Sequence, residues 1–143
     1  TIEHATEGHL IPEYMGSKKV RCVVGPLLMP PSKMELWNAV PENAQALIEA
    51  GCMVCLTADT SSETKWLPRD IGVCIARGLD EKEAFKAVTV NPAKLLGIED
   101  KVGALEPGKD ADIAIFDGHP FSNMTQCVLT MIDGKIWNNK LAK

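Results

Sequence analysis

The 143-residue sequence lacks long apolar runs and clusters of basic residues. Its longest apolar stretches, residues 20–26 and 51–58, are far shorter than the roughly 20 residues that cross a bilayer. The net charge is -4, and the Lys and Arg residues are scattered along the chain. These features argue against a membrane protein and against nucleic acid as a partner. With 45% apolar residues, the chain still has enough material for a hydrophobic core.

A second CxxC motif is also missing. The five cysteines are an odd number, lie mostly in apolar stretches and follow no signal-peptide pattern, which predicts reduced thiols and a cytoplasmic protein. Cys52-Met-Val-Cys55 has the spacing of half a zinc or redox motif, but a zinc site of this kind needs a second pair. On a strand, residues three apart point to opposite faces. We therefore expect no metal site at this motif.

The first two thirds of the sequence show a β/α pattern. Two short, nearly continuous apolar runs, residues 20–25 and 52–59, predict strands buried on both faces of a parallel sheet. Residues 26–41 contain four prolines and predict a long loop. Asp80 is the expected N-cap of a helix, with Glu83 completing a capping box. The predicted helices cover residues 7–17, 41–51, 68–77, 80–90 and 92–96.

The last third of the sequence has a different pattern. Helical spacing stops, Gly and Pro recur, and residues 111–116 and 126–137 alternate between apolar and polar. Asp133-Gly134, inside the second of these segments, predicts a tight β-hairpin. We therefore predict two parts: a β/α part at residues 1–97 and a small antiparallel part at residues 98–143.

Two residues stand where a parallel sheet places chemistry. His4 follows an apolar start, and Asp59 closes the run at residues 52–59. Catalytic groups in β/α folds lie at the carboxyl ends of strands. Hydrolysis by metal-held water needs imidazole and carboxylate ligands and a group that takes a proton. His4 and Asp59 are therefore candidate metal ligands, although a strand-end Asp can also cap the next helix and a lone His can be structural.

Neighbouring polar residues have simpler interpretations. His9 need not share a face with His4 and is expected near the mouth of the site. His119, in the stretch DGHP, is expected in a turn. Thr57 and Thr60 either orient the Asp59 carboxylate or satisfy local backbone groups.

Several stretches resemble a known family. VGALEPGKDADIAIFDGHP, followed by TMIDGKIW, resembles the C-terminal signature of the amidohydrolase superfamily, and TVNPAKLLGIED extends the similarity upstream. IEHATEGH resembles the end of barrel strand six in imidazolonepropionase-like members, and VCLTAD resembles the end of strand eight. The resemblance covers essentially the whole chain.

The resemblance implies a fold and an activity. The expected fold class is α/β: the C-terminal portion of a (β/α)8 TIM barrel plus a small antiparallel segment of a β-sandwich, which Ala111 and Asp112 enter. His4 matches the strand-six histidine, which binds the second metal in binuclear members or contacts substrate in mononuclear ones, and Asp59 matches the strand-eight aspartate, which binds metal and acts as general base. The implied parent enzyme is a metal-dependent hydrolase of amide or cyclic amide C–N bonds in small molecules, with zinc as the expected divalent metal.

The departures from the family pattern shape a second set of expectations. The HxH pair of strand one and the ligands of strands four and five have no counterpart, so we expect a fragment that begins at strand six. Such a fragment is expected to be inactive, to bind metal weakly or not at all, and to self-associate or pair with the missing barrel half. Val23, Val54 and Leu56 are expected to meet water on the open inner face.

Three further expectations concern function. Thr60-Ser61 stands where such enzymes often have His-Pro, so the loop that faces the substrate is expected to differ. The alternatives to an amide hydrolase are a non-catalytic assembly or interaction module and a superfamily deaminase that uses the same His4 and Asp59.

Overall fold

The computed structural model describes residues 1–30 and 32–141; Pro31, in the predicted loop, lies outside this range. Within these ranges, two short parallel strands and five α-helices come first, and three antiparallel strands follow. No helix within the described ranges is both long and apolar enough to cross a membrane. The strands are β1 Arg21–Val24, β2 Met53–Leu56, β3 Ile113–Phe116, β4 Cys127–Ile132 and β5 Lys135–Asn139. The helices are α1 Pro12–Ser17, α2 Asn43–Glu49, α3 Leu67–Ala76, α4 Glu81–Val88 and α5 Val90–Leu96, and 3-10 turns cover Gly8–Leu10, Met34–Leu36 and Thr64–Trp66.

The parallel layer consists of three successive segments. β1 and β2 pair in parallel, with Cys22 opposite Val54. Ile2 adds an isolated parallel bridge to Cys22, because its N–H donates to the Arg21 carbonyl and its own carbonyl accepts from Val23 N–H, both at 2.9 Å. The carboxyl ends of all three segments therefore meet at one edge, as the strand predictions required.

The exposure of Val54 and Leu56 differs from the expectation. These side chains are only 1% and 6% exposed, because they lie on the face that α2 and α4 cover. The prediction that they meet water was wrong. The opposite face carries the alternate residues Val23 and Met53, which are half-buried, and Cys55, which is buried.

The helices pack around one hydrophobic core. Leu47 of α2 and Ile71 of α3 are fully buried at its centre, beside the strand residues of the covered face. The predicted first helix is split, since a 3-10 turn precedes α1 and Pro12 takes the first helical position, where its missing N–H costs nothing. The core thus joins α1, α2, α3 and α4 to the two strands.

Asp80 caps α4 as predicted, but Glu83 does not complete the predicted capping box. Its Oδ1 accepts from the N–H groups of Lys82 and Glu83 at 2.8 and 3.0 Å. The Glu83 carboxylate does not return to Asp80 and instead accepts from Lys86 Nζ at 2.7 Å. The Asp80 N–H donates to Gln45 Oε1 at 3.0 Å, so this cap also ties α4 to α2.

The three-stranded sheet confirms the predicted hairpin. β4 pairs with both β3 and β5 in antiparallel register. Asp133 and Gly134 join β4 to β5 with φ values of 49° and 71°, the left-handed pair that a two-residue hairpin turn requires.

Aromatic contacts with Phe85 of α4 attach the segment before β4 to the helices. Phe121 is buried, and its ring centroid lies 4.7 Å from that of Phe85 on α4. Its carbonyl oxygen lies so close to Gly72 of α3 that a Cβ built on this glycine would be 2.2 Å away. The absence of a side chain at position 72 therefore lets this segment approach α3.

We predict that Gly72→Ala destabilises the protein, although alanine is favoured over glycine in a helix by about 1 kcal/mol. The new methyl group meets the Phe121 carbonyl, and the expected loss in the free energy of unfolding is about 1–3 kcal/mol. Urea unfolding followed by circular dichroism measures it. Val73→Ala, on the exposed side of the same helix, is the control, with an expected change of about 0.5 kcal/mol or less. A stabilised Gly72→Ala would contradict this packing.

Candidate metal centre

The structure brings the two predicted site residues together. The imidazole Nε2–H of His4 donates to Asp59 Oδ1 at 3.0 Å, across 55 residues of sequence. The two side chains are 61% and 40% exposed. A polar pair this open to solvent contributes little to stability. The approach of these two side chains is therefore better explained by a shared function at the strand ends than by a contribution to the stability of the fold.

The backbone at both residues is in the left-handed region. His4 has φ 63° and Asp59 has φ 61°. This conformation is unfavourable for most residues other than glycine, although Asp and His adopt it more readily than most, and Lys19 and Asp133 adopt it in ordinary turns of this chain. Strain of this kind concentrates at functional sites. Both candidate ligands have this backbone conformation, and both lie at the same edge of the sheet. This supports the choice of that edge as the candidate site.

Thr57 supports the turn that carries Asp59. Its hydroxyl accepts from the Asp59 N–H at 3.2 Å, and its own N–H donates to the Val24 carbonyl at 3.0 Å. Of the two roles open to Thr57, the structure shows the backbone one. Gly25 lies directly against this threonine, where a Cβ would be 2.0 Å from the Thr57 carbonyl oxygen. Only glycine fits beside the Asp59 turn.

Thr60 also satisfies backbone groups. Its hydroxyl accepts from Glu63 N–H at 3.2 Å, and its carbonyl accepts from the Thr64 hydroxyl at 2.8 Å. These bonds shape the 3-10 turn after Asp59. Thr60 therefore orders the loop that leaves the site.

Asn43 is a residue at this site that the sequence did not single out. It is 2% exposed at the start of α2. Its Oδ1 accepts from His9 N–H, and its Nδ2 donates to the Ala5 carbonyl, both at 2.8 Å. These partners lie 34 and 38 residues away, so no local pattern identifies them. Asn43 ties the segment after His4 to α2.

The other two histidines lie outside the His4–Asp59 pair. His9 faces Asn43, with its Nδ1 3.3 Å from Asn43 Oδ1. His119 begins a turn, as predicted, because its carbonyl accepts from Ser122 N–H at 3.0 Å. Its Nε2 lies 3.3 Å from Glu81 Oε1 on α4. His119 therefore helps to attach the segment before β4 to the helices.

The buried cysteines are poor metal ligands. Burial, reinforced by Cys52, raises the pKa of Cys22 to about 12, and burial raises that of Cys74 to about 11. Burial, followed by the charge of Glu3, also raises the pKa of Cys55. The thiolate is the form that binds metal, so these thiols stay unreactive at neutral pH.

The donor types at the site suit zinc, but their number is small. Two zinc ligands at about 2.0–2.1 Å and a tetrahedral angle lie about 3.3 Å from each other, and His4 Nε2 and Asp59 Oδ1 are 3.0 Å apart. A catalytic zinc usually has three protein ligands. Over residues 1–30 and 32–141, no group of three His, Cys, Asp or Glu side chains could hold an ion. The described residues therefore fit part of a zinc site.

The fold and this edge define the class of protein. Two parallel strands covered by helices, with polar residues at their carboxyl ends and an antiparallel sheet behind them, are the C-terminal portion of a (β/α)8 barrel with its small sheet. The model of the amidohydrolase family matches residues 5–137, and the chain belongs to that family. The predicted fold class and family are both confirmed.

Individual relatives agree with this assignment. Imidazolonepropionase of Geobacillus kaustophilus is 42% identical over 79 residues, or 52% of this chain and 19% of that protein. Imidazolonepropionase of Shouchella clausii is 35% identical over 88 residues, or 59% of this chain and 20% of that protein. A crystal structure of an amidohydrolase from Thermotoga maritima superimposes with a TM-score of 0.89 at 37% identity, over 94% of this chain and 36% of that one. The chain thus spans about a fifth of the length of the curated relatives it matches.

We predict that stability falls at alkaline pH because of the buried thiols. The pKa of Cys74 is raised from 9.0 to about 11 in the folded state, so its contribution is present below pH 9 and is lost as the pH rises towards 11. One thiol gives a slope of about 1.4 kcal/mol per pH unit in this window. Urea unfolding at several pH values should show a shallower slope for Cys74→Ala. Cys127→Ala, at a half-buried position, is the control, and an equal slope in all three proteins would contradict the account.

Proposed function

We propose that this chain carries part of the active site of a metal-dependent hydrolase that cleaves a C–N bond in an amide or cyclic amide of a small molecule. The observation that carries the proposal is the approach of His4 Nε2 to Asp59 Oδ1, 3.0 Å apart at the carboxyl ends of the two barrel segments that flank β1. Membership of the amidohydrolase family and similarity to imidazolonepropionases support it.

The two residues have distinct proposed roles. His4, through Nε2, and Asp59, through its carboxylate, hold a divalent ion, which we take to be zinc, and further ligands come from outside the described residues. The ion, when bound, lowers the pKa of the water that attacks the substrate. Asp59 accepts the proton of this water and returns it to the leaving nitrogen. Its open, 40% exposed side chain leaves room for water and substrate.

The backbone around the pair supports this chemistry. Asp59 sits on a turn that Thr57 holds by the 3.2 Å bond to its N–H, so the carboxylate is presented from a fixed backbone. Residues held in place before the reaction lower the cost of reaching the transition state. We further propose that the half-buried face of Val23 and Met53 is covered by other barrel segments, either of a longer chain or of a second molecule.

We predict that Asp59→Asn lowers kcat by about 10²- to 10⁴-fold in the zinc-loaded enzyme that contains this chain, because asparagine cannot take the proton of the water. Far-UV circular dichroism should be unchanged. Steady-state assays on cyclic amide substrates, with ammonia release measured in parallel, give the rate and distinguish a deaminase from an amide hydrolase. Asp100→Asn, at an exposed position in the loop after α5, is the control and should keep the normal rate. A near-normal rate for Asp59→Asn would contradict the assignment of Asp59 as the general base.

We also predict that the 143-residue chain by itself retains little zinc. Two donors are one fewer than a catalytic site usually has, so dialysis against metal-free buffer should remove the ion. Metal analysis by mass spectrometry measures the remaining zinc per chain, with His4→Asn as the comparison. Stoichiometric zinc that survives dialysis and is lost in neither His4→Asn nor Asp59→Asn would show that other residues bind it.

A further inference from the structure

The segment that carries His4 has few constraints of its own. Only Ile2 joins the parallel layer, through its bridge to Cys22, and the chain then leaves the sheet. His4 follows with φ 63° and a side chain that is 61% exposed. Neither packing of the imidazole nor strand pairing therefore explains why this residue stays in an unfavourable conformation beside Asp59.

The constraint comes from α2, at the position of Asn43. The amide of Asn43 uses both ends: it donates to the Ala5 carbonyl and accepts from His9 N–H, both at 2.8 Å. It thus joins both ends of the turn that follows His4 to α2. The Ala5 carbonyl also accepts from Gly8 N–H at 3.2 Å within the turn, so Asn43 supplies the shorter of its two bonds and the one that comes from outside the turn. The side chain is nearly fully buried, so these two bonds compete with no water.

The helix behind Asn43 is itself firmly placed. Leu47, one turn later, has no exposed surface and belongs to the central core. Gly8 lies against it so closely that a Cβ there would be 2.9 Å from Leu47 Cδ1. On the outer side, Glu7 Oε1 accepts from Asn38 N–H at 2.8 Å. The turn at residues 5–9 is therefore held against α2, through the Asn43 bond to the residue after His4 and through packing of the Ala5 side chain on the core.

We infer that Asn43 is the positioning residue for His4: by holding the Ala5 carbonyl, its amide keeps the His4 backbone left-handed and directs the imidazole to Asp59. This role deepens the proposed function and rests on it. Without the Asn43 donor, the backbone of His4 relaxes to an ordinary conformation, because the left-handed one is intrinsically less favourable. The imidazole then moves away from the carboxylate, and the site loses one of its two donors.

The test is a proton NMR measurement on the 143-residue chain, which requires neither metal nor activity. Nuclear Overhauser contacts between the His4 ring protons and the Asp59 β protons report the approach of the two side chains. Asn43→Asp keeps an acceptor for His9 N–H but places an oxygen against the Ala5 carbonyl. Asn43→Ser leaves a residue that is favoured at helix N-termini but that is too short to reach this carbonyl.

Asn91→Asp is the matched control. Asn91 also donates its amide to a buried backbone carbonyl, that of Val54 at 2.7 Å, but it does so from α5 and far from the turn at residues 5–9. Asn91→Asp therefore removes an equivalent hydrogen bond and leaves the contacts of the His4 segment in place. Contacts between Cys22 and Val54 protons, which reflect the strand pairing, check the fold of every variant.

The expected result is that both Asn43 variants lose the His4–Asp59 contacts while they keep the strand contacts, and that Asn91→Asp keeps both. If Asn43→Asp unfolds, Asn43→Ser decides. Persistence of the His4–Asp59 contacts in a folded Asn43 variant, or their loss in Asn91→Asp as well, would overturn the inference. A normal rate of Asp59→Asn in the full enzyme would refute the proposed function but would leave this structural result unchanged.

Discussion

The parallel pairing of three short segments is the constraint on which the site depends. Ile2, β1 and β2 lie side by side in one direction, so their carboxyl ends share an edge. This arrangement, rather than any local sequence feature, brings His4 and Asp59 within hydrogen-bond distance across 55 residues. The same pairing fixes which strand side chains face α2 and α4, and so it also sets the composition of the core.

His4 and Asp59 lie at an edge of the sheet whose backbone is held by contacts with other parts of the structure. His4 and Asp59 both have left-handed backbones and exposed side chains, and their polar pair adds little to stability. The backbone beside them is bonded to the packed part of the structure, by Thr57 at Asp59 and by Asn43 at Ala5, the residue after His4. A strained, open pair on a well-packed support is the arrangement expected where residues bind a ligand rather than each other.

The sequence predicted the elements better than it predicted their surroundings. Continuous apolar runs and helical spacing located β1, β2 and the helices, and Asp133-Gly134 located the hairpin, because these signals are local. Which face of a doubly buried strand meets the helices is not local, and so Val54 and Leu56 were assigned to the wrong side. Position at a strand end singled out His4 and Asp59. The bonds of Asn43 span more than 30 residues, and no spacing rule reveals them.

The central claim is that His4 and Asp59 of this amidohydrolase-family chain bind one divalent ion together. Anomalous X-ray diffraction at the zinc absorption edge, on crystals of the complete zinc-loaded enzyme, tests it most directly. We expect one zinc peak at about 2.0–2.2 Å from both His4 Nε2 and an Asp59 carboxylate oxygen, with the hydrogen bond between them replaced. A zinc peak elsewhere, with His4 still hydrogen-bonded to Asp59, would contradict the account.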